Sequence, residues 1–179
     1  MLEIITSPIS FFALLSLFAI GAAGSLLYRK DDASANIWSN FFAVAGSLWG
    51  FIFSISKIIT GQDMFLTFNT PLFPFFSLSF HIDMLSAFFI FVISLIALFC
   101  SIYSVGYIKH FYKKYSISSL GFFYNLFILG MLLVVSASNG IFFLIAWEVM
   151  SVASYFLVIY DRDNKNNVKA GSLYLIMIL

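Results

Sequence analysis

Residues 84–108 read MLSAFFIFVISLIALFCSIYSVGYI, a stretch without one charged side chain. A helix rises about 1.5 Å per residue and needs roughly 20 apolar residues to cross a hydrocarbon layer of about 30 Å, so this stretch is long enough to span one. A soluble domain would have to hide it in a core, and the rest of the chain lacks the polar surface to wrap such a core. Of the 179 residues 62% are hydrophobic and 9% charged, and 24 are Phe, whereas an ordinary soluble domain is roughly 25% charged. The mean hydropathy is +1.03. The solvent for most of this chain is lipid.

Outward from that segment the pattern repeats. On the N-terminal side, uncharged runs cover about Ile9 to Tyr28 and Ile37 to Ser56, the second closing near Lys57. On the C-terminal side, a fourth run spans about Leu120 to Ser138, and an Asn139-Gly140 turn opens a fifth that reaches Tyr160. So short a turn makes these last two antiparallel neighbours. From Val168 the chain is apolar again up to Leu179, about 18 Å of helix and too little to cross. The fold class expected is all-α: a multi-pass transmembrane helix bundle, five complete spanning helices and a truncated sixth. Residues 1–179 read as one membrane domain, the N-terminal part of a longer chain; a re-entrant last segment is the alternative.

The first run is read as a spanning helix rather than a signal peptide. Glu3 precedes it with no Lys or Arg, the basic pair Arg29-Lys30 follows it, and it is longer than the 7–15 residues of a signal's apolar region. Cys100, the single cysteine, has no intrachain disulfide partner and is expected to be a buried small hydrophobe. A net charge of +1 without a basic tract excludes nucleic acid as a partner.

Arg29, Lys30, Lys109, Lys113, Lys114, Arg162, Lys165 and Lys169 all fall in connections on one side, and only Lys57 lies near the other. By the positive-inside bias, loops 29–36, 109–119 and 161–167 are expected in the cytoplasm and the N-terminus outside. Tyr28, Trp38, Tyr107, Tyr124 and Tyr160 are placed at the same interface as aromatic anchors. The external loop 61–80 holds Pro71, Pro74 and several Phe; it reads as an extended or hairpin-like segment covering helix ends, with a membrane-dipping loop as the rival. Ala43, Ser47, Gly50 and Ser54 on the second helix, and Ala87, Ser94, Ala97, Ser101 and Ser104 on the third, form small-residue stripes expected to be packing surfaces.

Among eight acidic residues, Glu3, Asp31, Asp32, Asp63, Asp161 and Asp163 lie in loops or tails and Asp83 opens a helix. Glu148 alone is expected near mid-membrane, about 12 Å along the fifth helix. An ionised acid there costs about 2.5–3.5 kcal/mol on insertion scales, so it calls for a compensating partner or a proton. Burial raises its pKa and a nearby ammonium lowers it, and a carboxylate balanced between the two exchanges protons. Leu144, Ser151, Val152 and Tyr155 share its face, so the Ser151 and Tyr155 hydroxyls are supporting candidates. Interhelical hydrogen-bond glue is the alternative reading of Glu148. Asp83 is expected to be a helix cap or outer polar site. His81 and His110 flank one helix about 44 Å apart, which excludes them as joint haem ligands. No metal, phosphate-loop or nucleophile motif is present.

Asn125-Leu126-Phe127, Asn139, Trp147-Glu148-Val149-Met150-Ser151 and Ser154-Tyr155-Phe156-Leu157-Val158, with Asp83-Met84-Leu85-Ser86 and Ile102-Tyr103-Ser104-Val105-Gly106-Tyr107, resemble the antiporter-like proton-translocating membrane subunits of complex I and membrane-bound hydrogenases. The spelling is most similar to the hydrogenase-4 component B and formate hydrogenlyase membrane subunit branch. The resemblance runs from about Ile82 onward. It implies a larger fold with inverted repeats and broken helices, in which Glu148 pairs with a lysine on a later helix and redox chemistry in a partner module drives proton transfer. It implies as partners other membrane subunits and a peripheral redox module of one complex, in a cell inner membrane. The lysine and broken helices fall beyond Leu179, and the stretch holds no ligands for flavin, nickel or iron–sulfur clusters, so no cofactor and no redox site are expected in it. Two further readings remain: a passive membrane anchor or scaffold for a peripheral redox enzyme, and an independent sodium/proton antiporter.

Overall fold

The computed structural model describes residues 2–69 and 77–160, with Gly171, Leu173, Tyr174 and Met177 beyond them. After a single turn, α1 (Leu2–Ile5), come α2 (Pro8–Leu27), α3 (Asp32–Thr60), α4 (Met84–Tyr107), α5 (Ile117–Ser136) and α6 (Gly140–Val158). Strands β1 (Met64–Asn69) and β2 (Ser77–Ile82) lie between α3 and α4. The five helices from α2 to α6 are long and apolar enough to cross a membrane, so the chain is a multi-pass helical bundle. The expected sixth segment, apart from those four isolated positions, and the connection 161–167 with Arg162, Lys165 and Lys169 lie outside the described residues, as do Pro71 and Pro74.

Helix ends follow local capping chemistry. Ser7 accepts from the Ser10 N–H, and Pro8 occupies the first turn, where no amide partner is needed. Helix α3 starts at Asp32 rather than Ile37 because Asp31 caps it, accepting from the Ala33 N–H at 3.1 Å. Asp32 adds a charge favourable to the helix N-terminus. Two charges that bounded an uncharged run thus belong to the helix itself, and the connection expected at 29–36 shrinks accordingly. At its far end Gly61 takes the left-handed conformation, φ 61°, and donates its N–H to Lys57 O.

Close backbone approach holds the bundle. A Cβ on Gly50 would stand 2.3 Å from Ser94 Oγ, on Gly46 2.8 Å from the Phe18 ring, and on Gly130 2.9 Å from Met150 Cβ. The two small-residue stripes are buried as the α3–α4 contact: Ala43, Ser47, Gly50 and Ser54 against Ala87, Ser94, Ala97 and Ser101. Lipid supplies no hydrophobic drive between helices, so this contact area is what joins them. Helix α2 adds Phe11, Leu14 and Phe18 to the core.

The segment after α3 is an antiparallel hairpin, Met64 opposite Ile82 through Asn69 opposite Ser77. It lies across the helix ends: Phe80 packs on Phe11, Phe12 and Phe142 with centroids 5.0–5.9 Å apart. The Ser138 N–H donates to Ser79 O at 2.8 Å. Arg29, Lys30, Lys109, Lys113 and Lys114 collect at the end opposite the hairpin, and Lys57 lies at the hairpin end, buried.

Two side chains depart from expectation. Cys100 is exposed on the outer face of α4 beside Phe99, because the buried edge of that helix is already filled by Ala97 and Ser101. Tyr124, expected as an interfacial anchor, turns its hydroxyl inward to Ser101 and Ala97. Gly130→Leu is expected to destabilise the protein by about 1–3 kcal/mol through overpacking against the α6 backbone. Gly106→Leu, at a glycine with nothing within 4 Å, is expected to leave the thermal midpoint in detergent unchanged.

Candidate functional site

Helix α6 begins where Asn139 Oδ1 accepts from the Phe142 N–H at 2.7 Å. Phe142, Ala146 and Ala153 turn inward and are buried. Glu148 lies midway along the helix on the opposite side, in an exposed stripe with Ile141, Leu144, Ile145 and Val152. Leu144 is 61% exposed and Ile145 47%. Helical spacing puts these side chains on one face. Among the described residues Glu148 has no ion pair or hydrogen bond.

Neither supporting hydroxyl is brought to the carboxylate. Ser151 stands about 60° around the helix from Glu148 and so falls on the flank turned into the bundle; it is buried, and its Oγ has no partner among the described residues. Tyr155 shares the stripe more closely but lies two turns on, about 10 Å along the axis. It is half-buried, its ring packed edge-on against Phe156.

At the hairpin end, Asp83 caps α4 and accepts from the Ser86 N–H at 2.7 Å. That hydrogen bond holds its carboxyl below the ordinary carboxylate range. His81 is stacked on Phe65 and stands 3.6 Å from Asp63. Lys57 donates to Gln62 O at 3.0 Å.

A second group of polar side chains lies inside the bundle; of these, Asn36, Ser39, Asn40 and Tyr112 carry no signal in the uncharged runs. Asn36 donates to Val105 O at 3.1 Å and to the Tyr112 hydroxyl at 2.8 Å. Asn40 donates to Asn36 Oδ1 and accepts from the Ser104 hydroxyl. Ser101 Oγ and the Tyr124 hydroxyl are 2.9 Å apart, and Asn125 donates to Ser39 O at 3.2 Å. Asn36 and Asn40 are four apart on α3 and both buried. That spacing was available as a signal once Asp31 is taken as the cap.

The chain has relatives among known proteins. The family described as NADH-ubiquinone oxidoreductase (complex I), chain 5 N-terminus, matches residues 75–117. Hydrogenase-4 component B of Escherichia coli is 34% identical over 160 residues, 89% of this chain and 23% of that protein. NADH-ubiquinone oxidoreductase chain 5 of Paramecium tetraurelia is 25% identical over 90% of this chain and 29% of its own length. NADH-quinone oxidoreductase subunit L of Buchnera aphidicola is 35% identical over 54% of this chain and 16% of its own. The chain therefore spans less than a third of the length of each of these relatives.

The Asp83 cap yields a signed prediction. Its folded pKa is depressed, so its contribution is fully present above the unfolded value of about 3.9 and is lost as pH falls through the folded one. Asp83→Ala is expected to cost about 0.5–2 kcal/mol at neutral pH, with the difference from wild type narrowing at acid pH. Asp83→Asn is expected to keep most of the cap and lose that pH dependence. Thermal denaturation at pH 7 and pH 3 measures both.

Proposed function

We propose, from the premise that this chain belongs to the antiporter-like family of complex I and hydrogenase membrane subunits, that it takes part in proton translocation by a hydrogenase-4-like or NADH-quinone-oxidoreductase-like complex, with Glu148 in the ion path. The observation that carries this reading is one carboxylate at the centre of an exposed apolar helix face. Turned to acyl chains such a group is costly, and turned to another helix it needs a basic or proton-donating neighbour. The apolar stripe around it is a surface for that helix, and the neighbour lies outside the described residues. In that path the carboxylate accepts a proton from one neighbour and returns it to the next.

Several parts of the reading go with it. Ser151 and Tyr155 support that path from two sides, Tyr155 from the flank of the same stripe and Ser151 from the flank turned into the bundle. Other membrane subunits and a peripheral redox module are the partners, and the latter supplies the driving reaction. The cation-bearing end faces the cytoplasm of an inner membrane, by the positive-inside bias, and the hairpin faces outward.

Glu148→Gln separates proton exchange from hydrogen-bond glue, because Gln preserves shape and bonding capacity but does not ionise. In the full-length protein within its complex, redox-driven acidification of vesicles is expected to be abolished while the complex still assembles on native gels. Undiminished acidification removes Glu148 from the path and favours the passive anchor. The anchor reading instead expects release of a peripheral partner when Lys113, Lys114 and Arg162 are neutralised, with Glu148 dispensable.

A further inference from the structure

The turn between α2 and α3 is closed by the Asp31 N–H, which donates to Tyr28 O at 3.0 Å and sets Arg29 and Lys30 at the two corners, both exposed. The carboxylates that follow are occupied close to home. Asp31 accepts from the Ala33 N–H at 3.1 Å and from the Ser34 hydroxyl at 2.5 Å, and Asp32 accepts from the Lys113 N–H at 2.8 Å. Arg29 and Lys30 have no ion pair among the described residues.

Beside this turn a shallow cavity of about 230 Å³ is lined by Tyr28, Ser34, Ile37, Trp38 and Phe41. Its floor is fixed. The Trp38 indole N–H donates to Ile20 O at 3.3 Å across the α2–α3 contact, where Gly24 leaves room that any side chain would take. The Tyr28 ring packs on the indole with centroids 5.6 Å apart. The rim is apolar and open: Ile37 is 63% exposed and Phe41 64%. These two stand about 8 and 14 Å along α3 from its first residue, within a helix long and apolar enough to span a membrane.

Charge and depth together choose the occupant. A soluble acidic protein reaches the cations but not an apolar rim at that depth, and a free phosphate makes no use of the rim. A molecule with a phosphodiester head and a hydrocarbon tail meets both. We propose that this groove seats an anionic glycerophospholipid, its phosphate held by Arg29 and Lys30 and one acyl chain laid over Trp38, Ile37 and Phe41. Arg offers phosphate oxygens a planar fork of donors and Lys a compact charge, and Trp and Tyr rings favour the headgroup level. A zwitterionic headgroup brings an ammonium that the same pair repels. Each cation close to anionic headgroups contributes about fivefold in affinity.

Photo-crosslinking in native membrane vesicles that carry the full-length protein in its complex tests this. The probes are phosphatidylglycerol and phosphatidylcholine bearing the same diazirine acyl chain, with adducts located by peptide mass spectrometry. Phosphatidylglycerol is expected to label residues 28–41 at least about fivefold more than phosphatidylcholine. Arg29→Gln combined with Lys30→Gln is expected to bring the two yields together. Lys109→Gln, exposed at the same end but outside the groove, is expected to keep the wild-type ratio. A measurement on the wild-type complex stands beside the variants: raising salt from about 0.01 to 1 M shortens the screening length from about 30 to 3 Å and is expected to lower the ratio towards one. Excess inorganic phosphate, against chloride at equal ionic strength, is expected to leave labelling as it was; loss of labelling there assigns the cations to free phosphate and overturns the proposal. Equal labelling by the two lipids, or a ratio that survives both neutralisation and high salt, overturns it as well, since the segment then meets only the surrounding bilayer. Glu148→Gln is expected to leave labelling unchanged, so failure of that assignment and failure of this one are told apart.

Discussion

Hydrocarbon gives a helix no hydrogen-bond partner for its polar groups and no reason to leave lipid for a neighbour. The contact of α3 with α4 meets both demands. Gly50 lets Ser94 come to a distance at which any side chain on α3 would collide, and the amides of Asn36 and Asn40 find partners on their own helix, on α4 and on Tyr112. With α3 so held, α2 and α5 pack against it through Phe18 on Gly46 and Ser39 on Gly121. The hairpin then has a fixed platform to cover.

Much of this could be read from residues alone. Twenty-residue uncharged runs define spanning helices because lipid thickness and helical rise leave little freedom, and the small-residue stripes marked the α3–α4 contact. The same criterion failed at its edges. It excluded Asp31 and Asp32 as loop charges although both favour a helix N-terminus, and so left Asn36 in a connection. Cys100 and Tyr124 show a different limit. Cys100 lies beside the small-residue stripe of α4, whose buried edge Ala97 and Ser101 fill, and its residue type alone pointed the wrong way; Tyr124 on α5 is turned inward by partners on another helix, Ser101 and Ala97. For Glu148 the sequence told depth along the helix but not direction. The carboxylate turns away from the described bundle, while Ser151, three residues on, turns into it.

The polar features occupy separate parts of the molecule. Glu148 stands on an outer face of α6, suited to another helix. The amide and hydroxyl group lies within α3, α4 and α5, beside a cavity at the end that carries Arg29, Lys30, Lys109, Lys113 and Lys114. Asp83, His81 and Asp63 serve the hairpin end. Among the described residues of a chain that is 9% charged, the Lys, Arg, Asp and Glu side chains of the bundle lie towards its ends, apart from Glu148, and neutral amides and hydroxyls lie between them.

The Phe80–Phe142 contact, 5.0 Å between centroids, has a mechanical consequence. With Asn139 capping it and Phe80 wedged against its first turn, α6 is fixed at the hairpin end, and the close approach of Gly130 to Met150 and the Phe123–Phe156 stack fix it again further along. Glu148, about 9 Å from Phe142, stands between these two fastenings, so its backbone is already ordered when another helix meets it and little conformational freedom is lost on contact.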